Sequence, residues 1–343
     1  MAEGPVRQVA EDPVRAIADA VLYEGYILWP YRRSALKNQR RFTFGGVHPP
    51  LHAQRHPDDR STMQTEVLLR GRDQAQVEIG ARFLHVVERR VMQRRGGLLE
   101  PVDELLIGGE RYLSWQEAAE RELHLPALSL AQLQVGHELP IAIEARVECE
   151  ELPEDAGVLR RSWRQLQGAV RAQATPLAPG LWRLRVVIRN QTAIAPEADR
   201  QRALEQTFCS THTILRVAGD GAFVSLADPP AELAAAAAAC ENVGTWPVPV
   251  GQPGDCSTIL SAPIILEDYP RVAPESPGDL FDGGEIDQLL TLSILAMTDE
   301  EKAEMAACDP RAREILERTE ALTPEQLMAL HGAVRELGMG RAR

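Results

Sequence analysis

Four groups of residues have the types and spacing that chemistry needs. His48, His52 and His56 recur every fourth residue. On a continuous helix they would share one face and could ligate zinc, nickel or iron. Pro49, Pro50 and Pro57 interrupt the stretch, and proline inside a helix breaks it, so residues 48–60 read as a polar loop. A loop can still gather imidazoles, which keeps these three as the metal-ligand candidates; solvated side chains are the simpler alternative. The second group is acidic: Asp279, Asp282, Glu285 and Asp287 fall within nine residues, among glycines. Such oxygen-rich spacing suits a hard cation, although the ligand ladder of an EF-hand is missing. A helix start explains the same residues, with Asp282 as N-cap and Glu285 reaching back to it.

The third group runs from Tyr23 to Gly46. Tyr26-Ile27-Leu28-Trp29-Pro30-Tyr31 is followed by Arg32, Arg33, Lys37, Arg40 and Arg41. Aromatic rings beside cations can bind a nucleic acid or an anionic cofactor. They can equally pack a core in which cationic stems lie over the rings. The fourth group is Cys209 and His212. Three apart on an expected strand, they point to opposite faces, so no Cys–His dyad is expected. The sequence contains no Gly-x-Ser-x-Gly elbow, Walker A loop or dinucleotide-binding glycine fingerprint. No catalytic residue, cofactor or firm metal site is assigned.

Composition narrows the classes. The chain has 343 residues, 44% of them hydrophobic and 25% charged, enough for a sizeable core. Its net charge of −13 argues against a general nucleic-acid binder, which needs a basic surface. The charge is uneven: residues 1–100 hold 16 Lys and Arg against 12 Asp and Glu, and the remainder holds 21 against 38. The five cysteines are scattered, with no Cys-x-x-Cys pair, which fits reduced thiols in the cytoplasm. Met1–Asp12 is polar, without an apolar signal segment. The run Leu233–Cys240 is far shorter than the roughly 20 residues of a membrane span and reads as a short soluble helix.

The elements that must position these groups follow from periodicity. Asp12-Pro13 opens a helix toward Gly25. Phe42–Gly46 reads as a short strand closed by a turn. Period-two alternation predicts strands at Val77–Val87, 141–150, 166–174, 182–188 and Thr258–Leu266. Pro176–Gly180 would close one hairpin, and Gly219-Asp220-Gly221 a second between Thr207–Val217 and Ala222–Leu226. One apolar and one polar face per strand imply antiparallel sheets with one side wet. Beyond Pro270 the period becomes helical, with Ile286, Leu289, Leu290, Ile294 and Met297 as a stripe. Capping boxes at Thr298/Glu301 and Thr323/Gln326, with Asp309-Pro310 between them, predict helices near 299–307, 310–321 and 324–337. The expected fold is α+β: an antiparallel β-sandwich-like body with an N-terminal helix and a helical C-terminal tail. The expected divisions are 1–59, 60–282 and 283–343.

Two strings carry a resemblance. One is Leu22–Arg32 with Ser34-Ala35-Leu36-Lys37-Asn38 and Phe42-Thr43-Phe44-Gly45. The other is Pro263–Arg271 with Pro274–Asp282 and Glu285-Ile286-Asp287. Together they resemble a bacterial family encoded among accessory genes of uptake-type nickel–iron hydrogenases. The resemblance covers the N-terminal fifth and the C-terminal quarter and implies a process rather than a reaction. The expectation is a cytoplasmic, non-catalytic assembly factor that binds a hydrogenase subunit or a maturation protein. Tyr31, Arg32, Lys37 and Asn38 at one end, and Glu267, Asp268, Asp279 and Asp282 at the other, are the expected partner-binding residues. Pairing between these basic and acidic segments would make them one site. The alternative is a metal carrier or enzyme using the acidic turn or the histidine loop.

Overall fold

The computed structural model describes residues 13–24, 26–33, 35, 38, 41–42, 44–271, 287–323 and 326. Helix α1 (Pro13–Tyr23) leads into the aromatic segment, and α2 (Pro50–Arg55) follows it. Strands β1 (Thr62–Arg70) and β2 (Gln76–Arg95) open the sheets, followed by β3 (Leu98–Val102), β4 (Glu104–Ile107), β5 (Glu110–Leu113) and β6 (Trp115–Ser129). Next come α3 (Leu130–Leu133), β7 (His137–Ile143), β8 (Arg146–Glu151), β9 (Gly157–Trp163), β10 (Leu166–Ala178) and β11 (Leu181–Asn190). Helix α4 (Arg200–Leu204) precedes β12 (Cys209–Ala218), β13 (Ala222–Val224), α5 (Ala234–Ala238), β14 (Trp246–Pro249) and β15 (Thr258–Ala262). Three tail helices follow: α6 (Asp287–Leu295), α7 (Asp299–Cys308) and α8 (Pro310–Glu320).

Two antiparallel sheets form the α+β sandwich-like body. The smaller runs β13-β1-β11-β10-β7, and the larger β14-β15-β12-β2-β9-β8, with β3 and β6 also on β2. Alternate residues of β2 (Val77, Ile79, Ala81 and Phe83) point into the core between the sheets, against Val170 of β10 and Leu184 and Val186 of β11. There Phe83 stacks on Phe208 with centroids 4.6 Å apart. The other face of β2 is not wet. Leu84 and Val86 lie beneath a second core that joins Tyr23, Tyr26, Tyr31 and Phe42 to Leu290, Ile294, Met305 and Ile315. The larger sheet is thus covered twice, and the expectation of one solvated face fails for its central strand.

Local signals predicted several elements correctly. The β10–β11 hairpin is present, although β10 runs on past Pro176 through a bulge to Ala178, so the turn is tighter than expected. Thr298 caps α7 in a full capping box, and Asp309 caps α8. Thr323 and Gln326 also exchange their capping hydrogen bonds; the rest of the helix expected at 324–337 lies outside the described residues.

Other expectations fail where long-range pairing overrides pattern. The run 141–150 is not one strand: β7 pairs with β10 in one sheet, and β8 pairs with β9 in the other. Every residue of β8 is exposed, so its alternation does not reflect burial. Residues 207–226 form no hairpin. β12 joins β2 and β15, while β13 crosses to β1 in the opposite sheet. Gly221 permits that corner, because a Cβ there would collide with the Val217 side chain. The described residues of 42–46 form no strand either: Phe42 and Gly45 take φ of +59° and +52°, which turns the chain. In α6, Leu290 and Ile294 are buried but Leu289 is 54% exposed, so the apolar stripe is narrower than its spacing suggests. Ile286 lies outside the described residues. No helix among the described residues is long and apolar enough to cross a membrane.

Candidate functional site

The aromatic and basic segment folds as a packed motif. The Arg41 guanidinium sits 3.8 Å from the centroid of Trp115 and 4.9 Å from that of Phe42. Burial lowers its pKa, and it donates to the Tyr26 and Gln116 carbonyls. Asn38 is 3% exposed and knits the loop. It accepts from Leu28 N at 2.8 Å and donates to the Leu28 and Arg32 carbonyls at 2.8 and 3.1 Å. Tyr31 is fully buried. Neither Tyr31 nor Asn38, both expected at a partner surface, presents its side chain to solvent.

The segment is tied to the tail helices. Tyr26 Oη donates to Asp309 Oδ2 at 2.6 Å, and Arg32 pairs with Glu301 of α7 at 2.9 Å. Arg32 thus pairs with Glu301 of the tail, and of the acidic residues expected to pair with the basic segment neither Glu267 nor Asp268 is its partner here. Asp268 instead accepts from Ser225 Oγ at 2.6 Å, while Glu267 is exposed. Lys37, Asp279 and Asp282, and with them most of the acidic turn, lie outside the described residues. The two strings of the resemblance nonetheless touch. A Cβ on Gly45 would stand 2.7 Å from Pro263 Cβ, so only glycine allows this approach.

The histidine stretch is only partly a loop: His52 lies on a helix, and His48 and His56 flank it. Residues 50–55 form α2, with Pro49 at its N-cap and Pro50 in its first turn. Proline is tolerated there because the first N–H groups of a helix lack partners anyway; Pro57 falls beyond its end. His52 is the buried residue of this helix, and His48 sits just before it. Their rings stack at 5.1 Å, and His56 stacks on the outer side of His52 at 4.3 Å.

The partner that sequence reasoning missed is Asp59. His52 Nε2 lies 2.9 Å from Asp59 Oδ2, and His48 Nε2 lies 3.4 Å from Asp59 Oδ1. Ligand atoms of His48, His52 and Asp59 all fall within 4.8 Å of one another, and His56 is not part of this group. Partial burial works against the Asp59 charge, yet the His52 hydrogen bond and nearby cations hold its carboxyl below the usual range. Burial, only partly offset by Asp59, takes His48 down to about 4. The Arg200 guanidinium stands 3.2 Å from Asp59 Oδ2 on the exposed side. The one sequence signal for Asp59 is its place two residues after Pro57, where the chain turns back toward α2.

Two other features carry less chemistry. A cavity of about 800 Å³ is lined by Arg90, Arg160, Arg164 and Arg202 along with Glu88 and Glu205. Glu205 accepts from Arg164 and Arg202, and Glu88 from Arg90, so much of this charge is neutralised internally. Cys209 and His212 are both buried. Desolvation raises the thiol and takes His212 down to about 4, the reverse of what a thiolate–imidazolium pair requires. No protein-family model matches the sequence, and none of the curated proteins matches it.

Proposed function

We propose that this chain is a cytoplasmic, non-catalytic accessory factor of nickel–iron hydrogenase assembly that works by binding a hydrogenase subunit or a maturation protein. The hydrogenase connection rests on the resemblance of the two strings. The binding reading rests on one observation: the strings meet at Gly45 and Pro263, and beyond that contact the second string alternates. Ile264 and Leu266 pack toward α1, whereas Ile265 is 75% exposed and Glu267 also faces solvent. An exposed isoleucine beside an exposed carboxylate, on a segment pinned from beneath, suits docking against a partner with a small apolar pocket and a basic rim.

The test is affinity capture of the tagged chain from cells that make the hydrogenase, comparing wild type with Ile265→Asp/Glu267→Lys. The wild type is expected to retain a hydrogenase subunit or maturation protein, and the double variant to lose it. A maturation factor releases the mature enzyme, whereas a scaffold stays with it. Capture of neither class of protein by the wild type defeats the proposal.

A further inference from the structure

We propose that His48 Nε2, His52 Nε2 and the Asp59 carboxylate form a three-ligand site for a divalent transition cation of the zinc, nickel or iron type. This inference does not depend on the accessory role. It starts from the proton on Thr207. Thr207 Oγ1 donates its single proton to the Ala203 carbonyl at 2.8 Å. Its 3.1 Å contact with His48 Nδ1 therefore requires Nδ1 to be the donor. A ring that donates from Nδ1 offers the lone pair of its Nε2 to a cation. That lone pair faces Asp59 Oδ1 at 3.4 Å. A cation between that nitrogen and the carboxylate would be held by both.

The remaining geometry suits a cation. Zinc bonds of about 2.0–2.1 Å in a tetrahedral arrangement set neighbouring ligand atoms roughly 3.4 Å apart. His48 Nε2 lies 3.4 Å from Asp59 Oδ1 and His52 Nε2 lies 2.9 Å from the other oxygen, Oδ2, and one ligand atom from each of the three residues falls within 4.8 Å of the others. Two imidazoles and one carboxylate are a donor set that zinc, nickel and ferrous iron accept, with further coordination positions left for water or an exogenous ligand. The hydrogen bond from His48 Nδ1 to Thr207 is the outer contact that orients a metal-binding histidine. Gly46 keeps the nitrogen accessible: a Cβ there would sit 2.6 Å from His48 Nε2. Arg200 opposes the site electrostatically, since its guanidinium shares Asp59 Oδ2 at 3.2 Å. It is 60% exposed and free to swing into solvent.

The experiment uses the full chain, freed of metal by a chelator and titrated calorimetrically with zinc chloride or nickel sulfate. Metal content is measured after dialysis, and thermal unfolding checks each fold. Wild type is expected to bind one equivalent. His52→Gln and Asp59→Asn should weaken binding by about 100-fold or more. Arg200→Gln should tighten it, and His124→Ala, which alters an exposed histidine on β6, should leave it unchanged. The cation should raise the unfolding temperature of wild type but not of Asp59→Asn. Failure of wild type to bind either cation at millimolar concentration overturns the proposal. So does equal binding by wild type and by folded His52→Gln and Asp59→Asn.

Discussion

Replacing Arg89 with methionine should loosen the tail helices from the sheet. The Arg89 side chain is 8% exposed and donates at four points. It reaches Glu117 Oε1 at 2.7 Å, the Leu113 carbonyl at 3.0 Å, and the Ala307 and Cys308 carbonyls at 3.2 and 2.8 Å. The last two belong to the end of α7, whose final carbonyls lack helical partners and carry the negative end of its dipole. Methionine preserves the volume and removes every donor. Losing one member of a buried ion pair costs about 3–5 kcal/mol. Glu117 keeps its 2.9 Å bond to Arg161, which places the cost near the lower end, about 3 kcal/mol. If the tail opens locally, amide exchange across 299–320 should quicken by about 100-fold, because about 1.4 kcal/mol is tenfold. If the chain unfolds as one unit of 343 residues, the unfolding entropy is about 0.7 kcal/mol per kelvin and the midpoint falls by about 4 °C. Hydrogen exchange read by mass spectrometry separates the two outcomes. Unchanged exchange in α7 and α8, together with an unchanged midpoint, refutes the idea that Arg89 fastens the tail.

Further outcomes concern the core, the thiols and acid. Phe208→Ala deletes a ring that is fully buried and stacked on Phe83, and should cost about 3–5 kcal/mol in denaturant unfolding. Gly168→Ala brings a Cβ to 2.9 Å from Phe208 Cζ and against the Arg189 carbonyl, and should destabilise by about 1–3 kcal/mol in the same assay. Cys149 is exposed, whereas burial takes Cys308 up to about 12 and also raises Cys209. A thiol reagent should therefore label Cys149 in the native protein, and Cys209 and Cys308 only after unfolding. His85 and His212 are buried, and desolvation takes them down to about 3 and about 4, with Arg121 adding to the effect on His85. The unfolded chain thus binds protons that the folded one refuses, so the stability they contribute is complete above about pH 6.5 and falls as pH drops toward 4. His212→Leu should flatten that dependence by about 1.4 kcal/mol per pH unit, read from urea midpoints between pH 4 and 6.5; an unchanged slope refutes the assignment.

Much of this architecture is legible in short stretches of sequence, because the interactions that create it are short. Asp309 caps the helix that begins one residue later, and Thr298 and Glu301 close their box within one turn. The alternation of β10 and β11 registers the inner face of a sheet, and the cationic stems beside the aromatic run do lie over rings. What the tertiary structure alone decided lies at long range. Period two marks a strand without saying which sheet it joins, so β7 and β8 read as one run although they belong to different sheets. Arg32 and Glu301 meet across 269 positions of chain, and Arg89 reaches the end of α7 across 219. Proline spacing argued against a helix at 48–56, yet both prolines ahead of His52 stand where a helix start tolerates them. Asp59 joins His48 and His52 only because Pro57 and the turn after α2 carry the chain back. Local propensity depends on neighbours along the chain; a site depends on which neighbours folding supplies in space.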